Sequence, residues 1–194
     1  MDRDADGAEQ PSDLASDRAG ADDHSPRARD VLGLAIGPRP VARLGCAASS
    51  TSLAFVDAVH ALDLRRVTIA ATYPRDVVDS FVEFLKADGI DVVSSSSADI
   101  ITAEEVGTLG RDRILRLVSA IDHGAADAVL LPDTALHSAA WLDDLESAAG
   151  KPVLTANQVT VWEGLRLAGH DTTHHSLGSL FRARPPQRTG NPST

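Results

Sequence analysis

The stretch DAVLLPDTALHS, residues 127–138, contains the side chain with the clearest chemical potential. A short apolar run and Pro132 are followed by Asp133, a carboxylate placed where a buried strand would end. A buried carboxylate in such a position can act as a general acid or base. It can equally form a turn or cap the next helix, because aspartate is favoured at these junctions. The residues alone leave both interpretations open.

Other polar residues also follow apolar, strand-like runs. Tyr73 comes after RVTIAAT, residues 66–72, Ser94–Ser97 follow another run, and Asn157 comes after PVLTA. Because all strands of a parallel sheet end at one edge, these side chains are expected to share a rim with Asp133. Tyr73 could instead be a core residue, and Asn157 could cap the next helix.

The elements that would position these residues alternate along the chain from residue 42. Short apolar runs predict strands, and apolar residues at helical spacing predict helices. The predicted strands span residues 66–72, 90–94, 128–131 and 152–156, and the predicted helices span residues 53–62, 76–87, 111–123, 138–149 and 158–168, with a short helix opened by Thr102. This repetition predicts an α/β fold, in which a parallel sheet is flanked by helices and joined by right-handed crossovers.

Both ends of the chain differ in composition from this core. The 194 residues are enough for one domain of ordinary size. Residues 1–30 are rich in Asp, Ala, Ser and Pro and almost lack large apolar side chains, so we predict a disordered acidic segment. For residues 170–194 we predict a flexible tail, in which the only apolar anchors are Leu177, Leu180 and Phe181.

Charge and cysteine content restrict the class of function. The net charge of −10, with arginines scattered among acids, argues against nucleic-acid binding. The single cysteine, Cys46, excludes an internal disulfide and a cysteine zinc site, and is more typical of a buried core residue than of a nucleophile. No apolar run is long enough for a membrane helix, and no signal-like order of basic then apolar residues opens the chain. A cytoplasmic protein without a membrane partner is expected.

The block LLPDTALHSAAWLDDLESAAGKPVLTANQVTVWEGLRLAG, residues 130–169, resembles a known family signature. It is similar to the C-terminal part of the aspartate/glutamate racemase superfamily, on its maleate isomerase and arylmalonate decarboxylase branch. The matching positions are Gly150-Lys151-Pro152-Val153, Asn157-Gln158, Trp162 and Arg166-Leu167-Ala168-Gly169. A second block, AVHALDLRRVTIAATYP, resembles the segment that ends in Thr-Pro-Tyr or Thr-Ala-Tyr in the family, with Tyr73 at the tyrosine position. Together the similarity covers residues 50–169.

This resemblance implies two similar α/β lobes with an active site between them. It also implies a cysteine that moves a proton or attacks an alkene, beside a substrate carboxylate held by the tyrosine and by Thr/Ser groups. Two departures stand out. Asp133 occupies the position of the C-terminal cysteine, and Ser50-Thr51-Ser52 aligns with a later segment than the N-terminal cysteine motif. We therefore expect an N-terminally shortened chain, with a remnant of the first lobe at residues 31–65 and a racemase-like domain at residues 66–169.

The resemblance predicts a divergent family member that acts on or binds a small carboxylic acid. If the protein is active, a cofactor-independent isomerase, racemase or decarboxylase is expected, without metal or organic cofactor. Asp133 would be the general acid or base, Tyr73 and the amides near Thr134 would hold the carboxylate, and Asn157 would orient the loop.

Two other functions remain open from the residues. The chain could be a non-catalytic binding or interaction module in which Asp133 is only a cap. Because a shortened first lobe would expose apolar surface, self-association into a homo-oligomer is then expected. A metal-dependent hydrolase through Asp133, His137 and His174 or His175 is the third option, although those histidines lack ligand spacing on one element.

Overall fold

A computed structural model describes residues 48–183. The predictions for residues 1–30, for residues 31–47 of the first-lobe remnant, for Cys46 and for residues 184–194 lie outside the described residues. The strands are β1 (Arg66–Ala71), β2 (Asp91–Ser97), β3 (Ala128–Leu131) and β4 (Val153–Thr155). The helices are α1 (Thr51–Ala61), α2 (Arg75–Ala87), α3 (Ala103–Gly107), α4 (Arg111–Ala120), α5 (Leu142–Ala149), α6 (Ala156–Leu167) and α7 (Gly178–Arg182), with a 3₁₀ turn at Ala139–Trp141.

The four strands form one parallel sheet in the order β2-β1-β3-β4. The predicted fold class, a parallel sheet flanked by helices, is confirmed. The chain leaves β1 toward β2 on one side and leaves β3 toward β4 on the other. The boundary between β1 and β3 is therefore the topological switch point, the place where open parallel sheets form ligand crevices beyond their carboxyl ends.

Side chains on each face of the sheet pack into a separate apolar cluster. Ile69 and Leu130 belong to one cluster, with residues of α1, α2 and α6 such as Phe55, Phe81 and Trp162. Their strand neighbours Ala70, Val129 and Leu131 belong to the other cluster, with residues of α4 and α5 such as Val118 and Leu145. This alternation follows from the two-residue period of a strand.

Part of the tail that we predict to be flexible from residue 170 is packed in the structure, where helix α7 lies against the core. Leu180 and Phe181 in α7 are 1% and 2% exposed and join the first apolar cluster. The carboxylate of Glu146 on α5 accepts hydrogen bonds from the Ser179 N–H at 2.7 Å and from its hydroxyl at 3.0 Å, and it pairs with Arg182. Composition did not indicate this packing because a buried acid on another helix provides the acceptor.

The boundaries of the last three long helices also differ from the sequence prediction. The helix predicted for residues 111–123 ends at Ala120, and the carbonyl of Asp122 instead accepts a hydrogen bond from the Thr68 hydroxyl of β1. The helix predicted from residue 138 begins as a 3₁₀ turn and becomes α-helical at Leu142. The last long helix begins at Ala156 with Thr155 as its N-cap, because the Gln158 Oε1 accepts the Thr155 N–H at 3.2 Å.

Candidate functional site

Asp133 lies at the carboxyl end of β3 and is 5% exposed. Its Oδ1 accepts the backbone N–H of Ala135 at 2.8 Å, an Asx turn that folds the loop after the strand. Its Oδ2 accepts a hydrogen bond from the hydroxyl of Thr72, which follows β1 and is fully buried. The carboxylate therefore bridges the ends of the two central strands at the switch point.

Tyr73 is the next residue after Thr72 and joins the same site. Its phenol hydroxyl donates to the carbonyl oxygen of Pro132 at 2.8 Å, and its own carbonyl accepts the Ser97 hydroxyl at 2.5 Å. Burial, and then the negative charge of Asp133, raise the pKa of Tyr73 well above its usual range, and the Thr134 N–H opposes them only in part. The phenol therefore stays protonated and acts as a hydrogen-bond donor at neutral pH.

Asn157 fixes the loop that follows Asp133. Its side-chain amide donates to the carbonyl oxygen of Thr134 at 3.0 Å and to that of Leu136 at 3.1 Å. The interpretation of Asn157 as a helix cap is wrong, because α6 begins at Ala156 and is capped by Thr155. The Asn157 side chain is thereby free to bind the neighbouring loop instead of its own helix.

The four residues selected from the sequence, Asp133, Tyr73, Thr134 and Asn157, lie close together around the loop that follows β3. Thr134 is hydrogen-bonded to both Tyr73 and Asn157, whereas Asp133 is bonded to Thr72 and Ala135. Their roles in catalysis or ligand binding stay predictions. Sequence reasoning missed Thr72, whose hydroxyl is a donor to Asp133. The available signal was a hydroxyl at the very end of a buried strand, but its meaning depends on the pairing of β1 with β3.

The chemical capacity of this site follows from its donors and acceptors. An ionised carboxylate has about four lone-pair positions, so Asp133 keeps acceptor capacity beyond the two hydrogen bonds it receives. Such a group can accept, hold or return a proton. Among residues 48–183, no three His, Cys, Asp or Glu side chains form a group that could hold a metal ion. Within the same range, no helix has the length and apolar character needed to cross a membrane.

A doubly wound parallel sheet with a buried acid at its switch point defines an α/β protein of the kind that binds ligands at this edge. Comparison with known families identifies the family to which the chain belongs. The arylmalonate decarboxylase family model matches residues 40–181, so the chain belongs to the arylmalonate decarboxylase family. The resemblance to the maleate isomerase and arylmalonate decarboxylase branch is confirmed.

Curated relatives support the same assignment. A maleate isomerase of Alcaligenes faecalis is 28% identical over 139 residues, which cover 71% of this chain and 55% of that protein. An arylmalonate decarboxylase of Bordetella bronchiseptica is 26% identical over 138 residues, which cover 70% of this chain and 57% of that protein. The chain thus spans about half the length of the curated relatives it matches.

Solved structures show the same fold. A double mutant of arylmalonate decarboxylase in the liganded form superposes with a TM-score of 0.68 at 24% identity, over 73% of this chain and 62% of that chain. A maleate cis-trans isomerase of Nocardia farcinica with a covalently bound succinylcysteine intermediate gives a TM-score of 0.67 at 23% identity, over 70% of this chain and 56% of that chain. At this identity the superpositions establish the fold alone.

Proposed function

We propose that the chain binds a small carboxylic acid beyond the carboxyl ends of β1 and β3 and moves a proton to or from the carbon beside the carboxylate. The main support is Asp133, a carboxylate 5% exposed at the switch point, held by Thr72 and adjacent to Tyr73. The relatives named for maleate and arylmalonate support the choice of a small acid.

Proton transfer fits Asp133 better than nucleophilic addition. The Nocardia enzyme holds its intermediate through a cysteine, whereas the single cysteine of this chain is Cys46 and the resemblance aligns Asp133 with the family's C-terminal cysteine. A carboxylate is a weak nucleophile toward an alkene, but it can exchange a proton with carbon.

Decarboxylation shows how the bonds, electrons and protons of such a step would balance. The bond between the α carbon and one carboxylate breaks, CO₂ leaves, and the electron pair remains on the α carbon as an enediolate. In the proposed step, Asp133 takes a proton from water, which leaves as hydroxide, and passes that proton to the α carbon. The loop amides near Thr134 and the Tyr73 hydroxyl, which would exchange the Pro132 carbonyl for the ligand, are the proposed donors to the remaining carboxylate.

Proton NMR of the full chain in D₂O tests this activity. The protein is incubated with maleate, methylmalonate, phenylmalonate, aspartate or glutamate. We expect loss of an α-proton signal, or product signals, for at least one acid. The activity should disappear in Asp133→Asn and persist in Asp88→Asn, a control at an exposed aspartate that follows α2. Dispersed methyl signals with every acid unchanged would contradict proton transfer on this panel.

A second candidate function is a non-catalytic binding or interaction module. The favouring observation is that each selected side chain already has a partner inside the chain: Thr72 and Ala135 for Asp133, Pro132 for Tyr73. Shifts of the loop amide signals on adding an acid, without turnover, would support this candidate. If the acids cause neither amide shifts nor turnover, that result would contradict small-acid binding altogether.

Self-association and location complete the proposal. Val93, Ile101 and Val161 are the large apolar side chains exposed among residues 48–183, at 37%, 85% and 55%. A homo-oligomer that covers them is expected to sediment faster than the 20.4 kDa monomer.

We also propose a cytoplasmic location, since one cysteine allows no internal disulfide. Cell fractionation with an antibody to the chain would test it.

A further inference from the structure

A groove separate from Asp133 lies between the end of β2 and the face of α4. Its volume is about 290 Å³, and its lining residues are Ser96, Ser97, Ala98, Arg113, Arg116, Leu117 and Ala120. Arg113 and Arg116 are three positions apart on α4, so their side chains share one face of the helix. Two guanidinium groups thus border a cavity of the size of a small molecule.

The charges of this groove are not neutralised by the described part of the chain. In residues 48–183, the arginines that form ion pairs with carboxylates are Arg66, Arg75, Arg111, Arg166 and Arg182. The guanidinium groups of Arg113 and Arg116 have no such partner within that range. The nearest acid along α4, Asp112, is 81% exposed and pairs with Arg111 instead. Two like charges one helical turn apart repel each other, and a bound anion would relieve that repulsion.

The β2 wall supplies a hydroxyl donor. Ser96 pairs with Ala70 in the parallel register, and Ala70 belongs to the apolar cluster on the α4 face, so Ser96 faces α4 as well. Its hydroxyl has no hydrogen-bond partner among the described residues, whereas the Ser97 hydroxyl donates to the carbonyl of Tyr73. Arg113 and Arg116 are exposed, so an anion can reach them from solvent. Leu117 and Ala120 line the same groove and can contact the apolar part of a small molecule.

We propose that this groove is an anion site that binds the carboxylate or phosphate group of a small molecule. Arg113 and Arg116 grip the anion, since guanidinium groups match the geometry of both acids, and Ser96 donates a hydroxyl hydrogen bond. The site does not depend on Asp133 chemistry. The net charge of −10 opposes anion binding in general, so the local positive charge of Arg113 and Arg116 is what attracts an anion to this groove.

Titration of the ¹⁵N-labelled full chain with inorganic phosphate, and separately with malonate, tests the proposal. Saturable shifts of the Ser96 and Ser97 amides and of the two arginine side-chain N–H groups are expected for at least one anion. Arg113→Gln and Arg116→Gln should each raise Kd about tenfold, the effect of losing one charge-assisted hydrogen bond. Arg65→Gln should leave Kd unchanged, because Arg65 lies before β1 at the opposite edge of the sheet.

The outcomes separate the ligand classes and the alternatives. Saturation by malonate alone assigns a carboxylate ligand, and saturation by phosphate alone assigns a phosphorylated one. Shifts that grow linearly with concentration, or equal weakening by Arg65→Gln, would overturn the site. The same titration in Asp133→Asn should be unchanged, so that failure of the proposed proton transfer and failure of the groove are distinguished.

Discussion

Replacing Thr72 by valine removes one hydroxyl from the candidate site and keeps the branched shape of the side chain. Thr72 is fully buried, and its hydroxyl donates to an oxygen of Asp133, which is 5% exposed. Hydrogen bonds to charged groups contribute about 1.5–3 kcal/mol, and water has little access to replace this one. The free energy of unfolding should therefore fall by about 1.5–3 kcal/mol in Thr72→Val.

The chain offers a matched control in β1, the strand that Thr72 follows. Thr68 is also fully buried, and its hydroxyl donates to the backbone carbonyl of Asp122 at 3.2 Å, a neutral acceptor. A hydrogen bond between neutral groups contributes about 1 kcal/mol, so Thr68→Val should cost about that amount. Both substitutions exchange the same hydroxyl for the same methyl group, and the difference between them isolates the charge of the acceptor.

Urea denaturation followed by circular dichroism measures both costs, and an unchanged slope m confirms that the two states are comparable. The double variant Thr72→Val/Asp133→Asn should show a coupling energy above about 0.5 kcal/mol. If Thr72→Val costs no more than Thr68→Val, the Asp133 carboxylate does not depend on this donor. The Thr72 hydroxyl and the Asp133 carboxylate would then contribute to stability independently of each other.

Three further predictions address the tyrosine, the loop and the C-terminal helix. Tyr73 is the only tyrosine, and its raised pKa means that the folded state keeps a proton that the unfolded chain loses near pH 10. Its stabilisation is thus complete below about pH 10 and is lost as the pH rises further, so near-ultraviolet tyrosinate absorbance should appear only with alkaline unfolding. Asn157→Asp places a carboxylate against two carbonyls and should lower stability by about 1–3 kcal/mol, with faster hydrogen exchange of the loop amides. Gly178 has a φ of +76°, and a Cβ added there would lie 2.8 Å from Gln158 Nε2, so Gly178→Ala should lower stability by about 2 kcal/mol. Gly164 lies inside α6 with nothing within 4 Å of an added Cβ, so the control Gly164→Ala should raise stability by up to about 1 kcal/mol. Thermal unfolding measures both changes.

Local sequence signals located the central strands well. The strand predicted for residues 128–131 matches β3, and that predicted for residues 66–72 exceeds β1 by one residue. Continuous apolar runs bounded by turn residues are specific enough for such buried strands. The β2 strand was predicted to end at Ser94, but it continues to Ser97 because the serines pair with β1. Serine has low intrinsic strand preference, so only the tertiary partner reveals this extension.

The sequence also predicts part of the candidate site. The rule that parallel strands share a carboxyl edge placed Asp133, Tyr73 and Asn157 together, as the structure does. The rule does not give hydrogen-bond partners, so the donor role of Thr72 was not foreseen. The expectation that Asn157 orients the loop came from the family resemblance, and the structure adds the two carbonyls that its amide contacts. Those contacts depend on which strands are neighbours and where the last helix begins, and both are properties of the folded chain.

The hydrogen bond between Thr72 and Asp133 joins residues 61 positions apart in the chain. Closing a loop of that length has an entropic cost that only the pairing of β1 with β3 offsets, so this contact belongs to the slow, non-local part of folding. A chain that has formed its helices but not this pairing has no site. Any transient separation of the two strands exposes the acid to water and removes the site at once. The fraction of molecules able to bind through Asp133 therefore follows the folding equilibrium of the whole sheet. Destabilising substitutions far from the rim should reduce it once they bring the free energy of unfolding close to zero.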